Sequence, residues 1–85
     1  MTRSRHTKGL NPLKFVNPFY DHARRFAGLA PATVDTYITL GGVAELTAGG
    51  MLVLSSGERK HTANVAPHHR KTMAEWVNDF NDRAA

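Results

Sequence analysis

The chain of 85 residues contains no cysteine, which excludes disulfides, thiolate nucleophiles and thiolate metal ligands. Aromatic residues make up only 8%, so a single core of this size has few large side chains with which to close itself. The basic residues near the N-terminus, Arg3, Arg5 and Lys8, are not followed by an apolar stretch, and a cleaved signal peptide is not expected. The Gly41-Gly42 and Gly49-Gly50 pairs lack the spacing of a dinucleotide fingerprint, and no phosphate loop is present. His61, His68 and His69 lack any HxxxH or HExxH spacing, so no metal site is expected. There is no nucleophile–base pair, no pair of carboxylates at catalytic spacing and no internal repeat. Neither an enzyme nor a bound cofactor is expected.

Charge is unevenly distributed. Eleven basic residues against seven acidic ones give a net charge of +4, an excess that suits an anionic surface without specifying which. Residues 37–54, YITLGGVAELTAGGMLVL, contain no Lys, Arg, His or Pro, and Glu45 is their only ionisable carboxylate. As a helix this run would cover about 27 Å, close to the hydrocarbon thickness of a bilayer. On a helical wheel, Gly41, Glu45, Ala48 and Gly49 share a stripe and the large aliphatic residues take the other side. Such a stripe suits close packing between membrane helices. Four glycines in 18 residues would each weaken a water-exposed helix by roughly 1 kcal/mol, a cost membrane helices tolerate better.

The flanks read as amphipathic helices. Asn17 and Pro18 make an N-cap and first helical residue for a helix over 18–28. Met73, Trp76, Val77 and Phe80 recur at helical spacing within a helix over 69–83. The expected fold class is therefore all-α: one membrane-spanning helix over about 34–56, flanked by two short amphipathic helices. Residues 1–12 form a disordered basic arm and residues 13–85 a single small helical unit. The alternative is a small α+β fold with a GG-punctuated β-meander, in which VDTYITL, VAELTA, MLVLSS and HTANVA are strands and GG, GG and GERK are turns.

The stretch from Phe15 to Lys60, with Ala63-Asn64-Val65 after it, resembles the DoxX-like family of small integral membrane proteins. The resemblance rests on FVNP, Tyr20, Pro31, Tyr37, GGVAEL, AGG, MLVL and Arg59. It implies that Glu45 matches the family's membrane-embedded glutamate. It also implies a loose link to quinone-associated redox chemistry, although no residue pattern here independently marks a quinone site. The family's members are four-helix bundles, whereas this chain carries one candidate span and would be a truncated member.

The function expected from this reading is non-catalytic helix–helix association in a membrane, the inner or cytoplasmic membrane if the chain is bacterial. The partners are membrane lipids and either other membrane helices or further copies of the chain. The balance of Arg24 and Arg25 against Arg59, Lys60, Arg70 and Lys71 favours a cytoplasmic C-terminus, but Arg3, Arg5, Lys8 and Lys14 would then have to cross, so the charges leave the orientation open. Arg24, Arg25, Arg59 and Lys60 are the residues expected to contact an anionic surface. Under the α+β alternative, the same charges serve a soluble basic binding module that contacts nucleic acid or an acidic protein.

Overall fold

The computed structural model describes residues 17–85; the expected basic arm, and residues 13–16 of the unit after it, lie outside them. Three helices and a three-stranded antiparallel sheet follow one another along the chain. Helix α1 is Pro18–Ala27, α2 is Pro31–Thr39, the strands are β1 (Val43–Leu46), β2 (Met51–Ser56) and β3 (Arg59–Asn64), and α3 is Arg70–Ala84 after a 3-10 turn at Pro67–His69.

Local signals set the helix ends. The Asn17 side chain accepts the Phe19 N–H at 2.9 Å, Pro18 occupies the first turn, and Gly28 stops α1 at φ 67°. Helix α2 ends in a six-to-one closure. The Gly42 N–H donates to the Tyr37 carbonyl at 2.8 Å and the Gly41 N–H to that of Ile38 at 3.0 Å, with Gly41 at φ 69°. The chain leaves the helix there, and the rest of the apolar run forms strands.

The all-α expectation is therefore corrected. Residues 34–56 do not form one helix: 34–39 belong to α2, and 43–46 and 51–56 are β1 and β2. Among the described residues no helix is long and apolar enough to cross a membrane. That overturns the transmembrane helix and, with it, the membrane placement inferred from it. The physical reason lies in the glycines. Gly41, Gly50 and Gly57 all adopt positive φ, a conformation that breaks a helix and opens turns. The meander itself also departs from expectation. VDTYITL lies in and just after α2 rather than in a strand, and the second hairpin turns on Gly57-Glu58 alone, with Ser56 opposite Arg59.

The strands run in the order β1-β2-β3. Their register pairs Ala44 with Leu54, Leu46 with Leu52, and Leu52 with Ala63, so these side chains share one face. Ala44, Leu52 and Leu54 are buried there in one core with Met73, Trp76 and Phe80 of α3 and with Phe19, Ala23, Leu29, Val34 and Tyr37 from the α1–α2 segment; no polar or charged residue is buried among the described residues. The aliphatic side chains that suggest lipid contact in the sequence thus divide between this core and the opposite face of the sheet, where Val43 is exposed and Val53 half-buried.

Three polar contacts hold the layers in place. The Trp76 indole N–H donates to the Phe19 carbonyl at 2.8 Å. The Tyr20 hydroxyl donates to Asp35, joining α1 to α2, and this bond is the main cause raising the Tyr20 pKa above its ordinary value. Arg70 donates to the Gly49 carbonyl at 3.2 Å, tying the first hairpin loop to the start of α3.

Candidate functional site

With the central helix absent, the small-residue stripe is dispersed. Gly41 lies in the turn closing α2, Glu45 is exposed on β1, and Ala48 and Gly49 lie exposed in the loop between β1 and β2. The helix-packing face expected from them does not exist in this fold.

The four residues expected to meet an anionic surface divide into two kinds. Arg24 and Arg25 both bind Asp21, each at 3.1 Å. The Arg25 hydrogen bond, supported by Arg24, lowers the Asp21 pKa. Arg83 is likewise held, 3.0 Å from Asp79 and with its guanidinium 4.0 Å from the Phe19 ring centroid. Arg70 is occupied with backbone carbonyls. Arg59 and Lys60, by contrast, are exposed and form no ion pair among the described residues, as is also true of Lys71.

Arg59 and Lys60 open strand β3, whose first four residues are all exposed. The Val65 N–H donates to the Gly50 carbonyl at 2.8 Å. The alternation of an antiparallel ladder therefore turns the backbone groups of residues 59, 61 and 63 toward β2, and those of Lys60, Thr62 and Asn64 toward the open edge. The side chains of the latter three lie on the sheet face away from the helices, because Lys60 pairs with Ser55, Thr62 with Val53 and Asn64 with Met51. The result is an exposed edge carrying an ammonium, a hydroxyl and a carboxamide in a row.

The opposite edge is closed. The Asn81 carboxamide of α3 accepts the Ala44 N–H at 2.8 Å and donates to the Ala44 carbonyl at 3.1 Å, as a neighbouring strand would. Nothing in the residue order signals this pairing. Asn81 sits beside the apolar stripe of an amphipathic helix, and only the docking of α3 on β1 brings it to the edge.

Two further constellations carry less chemistry. A ring stack runs from His22 through Phe26 to His69, with centroids 5.3 and 4.0 Å apart, and His68 lies against His69 at 4.1 Å. No group of three metal-capable side chains occurs among the described residues. Desolvation, and then the neighbouring His68, lower the His69 pKa below 6.5. A histidine with a lowered folded-state pKa contributes its full stability above its unfolded value. That contribution fades as pH falls from about 6.5 through the lowered value, because the unfolded chain takes up the proton first. Urea midpoints should therefore drop between about pH 7.5 and about pH 5, and His69→Phe should remove part of that drop. An unchanged pH dependence would show that the stack does not control it. The second feature is an open cleft of about 200 Å³ between α1 and α3, floored by Phe19 and Trp76 and rimmed by His22, Glu75 and Asp79. Asp79 is already bound to Arg83 and His22 lies against Phe26.

Comparison of the chain with protein-family models, with curated proteins and with solved structures returns no match.

Proposed function

We propose that the chain is a small basic binding module that contacts nucleic acid through the open strand β3. The observation that carries this reading is the row of Lys60, Thr62 and Asn64 on one exposed face, with Arg59 exposed on the other face at the start of the same strand and neither cation held by a carboxylate among the described residues. Ammonium and guanidinium groups neutralise phosphates, while hydroxyls and carboxamides hydrogen-bond to phosphates and base edges. Residues 17–85 hold seven basic and seven acidic side chains, so the whole net charge of +4 comes from Arg3, Arg5, Lys8 and Lys14. Those four supply attraction without sequence preference, and β3 supplies a surface of fixed geometry.

The test is titration of labelled duplex DNA over a range of salt concentrations. Log K should fall linearly with log salt. Replacing both Arg59 and Lys60 by alanine should reduce the slope by about 2, at roughly 0.9 for each phosphate no longer neutralised. Replacing Arg24 and Arg25 should reduce it by no more than about 1, because the single Asp21 carboxylate holds both side chains and offsets one of their two charges. Failure to bind DNA or RNA overturns the reading. Binding of a polyglutamate chain as tight as that of DNA would assign the surface to an acidic protein instead.

A further inference from the structure

We propose that the open edge of β3 pairs with the same edge of a second copy of this chain, forming a closed two-fold dimer with a continuous six-stranded sheet.

The two edges of the sheet differ: β1 is short and capped at Ala44, whereas β3 is open along its length. At β1 the outward N–H and C=O of Ala44 are both taken by Asn81. At β3 no hydrogen bond among the described residues engages the outward backbone groups of Lys60, Thr62 and Asn64, and an edge of this kind is a template for another strand. Nothing among the described residues obstructs the approach. The side chains of Arg59 and His61 point toward the helix side of the sheet yet remain exposed, so α3 covers β1 and β2 and stops short of β3.

The edge is also complementary to itself. Outward-bonding residues must face one another across the new ladder. An antiparallel pairing centred on Thr62 meets that condition and uses the whole strand. It sets Thr62 opposite the partner's Thr62, Lys60 opposite the partner's Asn64, and His61 opposite the partner's Ala63. No like charges stand directly opposite, and threonine pairs are favourable cross-strand neighbours. The ammonium of Lys60 gains a carboxamide oxygen as acceptor. Pairing edge to edge leaves the Lys60, Thr62 and Asn64 side chains on the solvent face, so the dimer stands or falls independently of nucleic-acid binding.

Each dimer ends in two β1 edges capped at Ala44, and the β3 contact is isologous, so it closes at two copies. Two six-residue edges bury less than the roughly 1,200–2,000 Å² of a stable interface, so association should depend on concentration.

Sedimentation equilibrium of the full chain, without nucleic acid, is the test. The weight-average mass should rise from 9.4 kDa toward twice that value between micromolar and millimolar chain. Thr62→Pro should hold the mass at one chain: its N–H takes no part in the internal ladder, so an edge position tolerates proline, yet the variant cannot donate across the dimer. Asn64→Lys should weaken association roughly tenfold and Asn64→Glu should tighten it by a similar factor at low salt, because the two-fold repeats each altered pair with Lys60 twice. Hydrogen exchange on the unmodified chain requires no variant to fold: the amides of Lys60, Thr62 and Asn64 should gain protection as concentration rises. A mass that stays at one chain throughout overturns the proposal. So does a dimer that leaves these three amides unprotected or responds equally to both Asn64 replacements.

Discussion

Replacing Trp76 with alanine is expected to cost about 3–5 kcal/mol, the usual range for truncating a buried aromatic residue. A chain of this length holds a total stability of only about 4–13 kcal/mol, so urea denaturation should show a large loss of folded protein at room temperature. The size of the effect follows from what the side chain touches. Trp76 is 3% exposed. Its ring stacks on Phe19 with centroids 5.1 Å apart and an interplanar angle of 13°, and the Phe80 ring lies 5.4 Å away. Its N–H reaches the Phe19 carbonyl across 57 residues of sequence. One side chain therefore joins α1 to α3 by packing and by a hydrogen bond. Trp76→Phe separates the two contributions. It keeps an aromatic ring and removes the donor, at about 1 kcal/mol, because the Phe19 carbonyl keeps its place in the helical ladder. A cost below about 1 kcal/mol for the alanine variant would contradict the packing of α1 on α3.

The second large effect is expected at Gly42, and the contrast with Gly49 makes it specific. A Cβ at Gly42 would sit 2.6 Å from the Ser55 carbonyl oxygen and 3.0 Å from that of Tyr37. Both are backbone atoms, so neither can rotate away. Relief requires moving β1 off β2 at the Val43–Ser55 pair or loosening the end of α2. Gly42→Ala should therefore cost at least the roughly 1–3 kcal/mol typical of overpacking. A Cβ at Gly49 meets nothing within 4 Å, and this glycine is not among those at positive φ. Gly49→Ala should be neutral or stabilising by up to about 1 kcal/mol, because it restricts the unfolded chain. Thermal melts of the two variants decide the matter. Similar shifts for both would contradict the turn geometry and return the two GG pairs to the equivalence they have on a helical wheel.

Some of this fold is legible from residue order. Asn17-Pro18 marks a helix start because a side-chain acceptor followed by a residue without an N–H satisfies the first turn locally. The spacing of Met73, Trp76 and Phe80 marks a buried helical face for a similar reason: periodicity needs no knowledge of the partner. Residues 37–54 mislead because length and apolarity carry no direction. Val53 and Leu54 suit a lipid-facing helix and a strand equally. Glycine is ambiguous in the same way: it permits close helix packing, yet at positive φ Gly41 and Gly50 end a helix and shape a hairpin loop. Arg24, Arg25, Arg59 and Lys60 look alike as cations. Asp21 distinguishes the first two, and it stands one helical turn away in the sequence, where the pairing can be anticipated.

Composition and neighbours within one turn suffice for the capped start of α1, the amphipathic face of α3, the absence of thiol chemistry and the concentration of all excess charge in the first sixteen residues. None of these depends on which segment packs against which. The return of the apolar run as a meander, the closure of one sheet edge by Asn81 and the opening of the other at β3 arise only once the elements pack together. Each depends on contacts between residues far apart in the chain. Asn81 and Ala44 lie 37 residues apart, and they meet only because burying Phe80 against the inner face of the sheet carries Asn81 to the edge of β1.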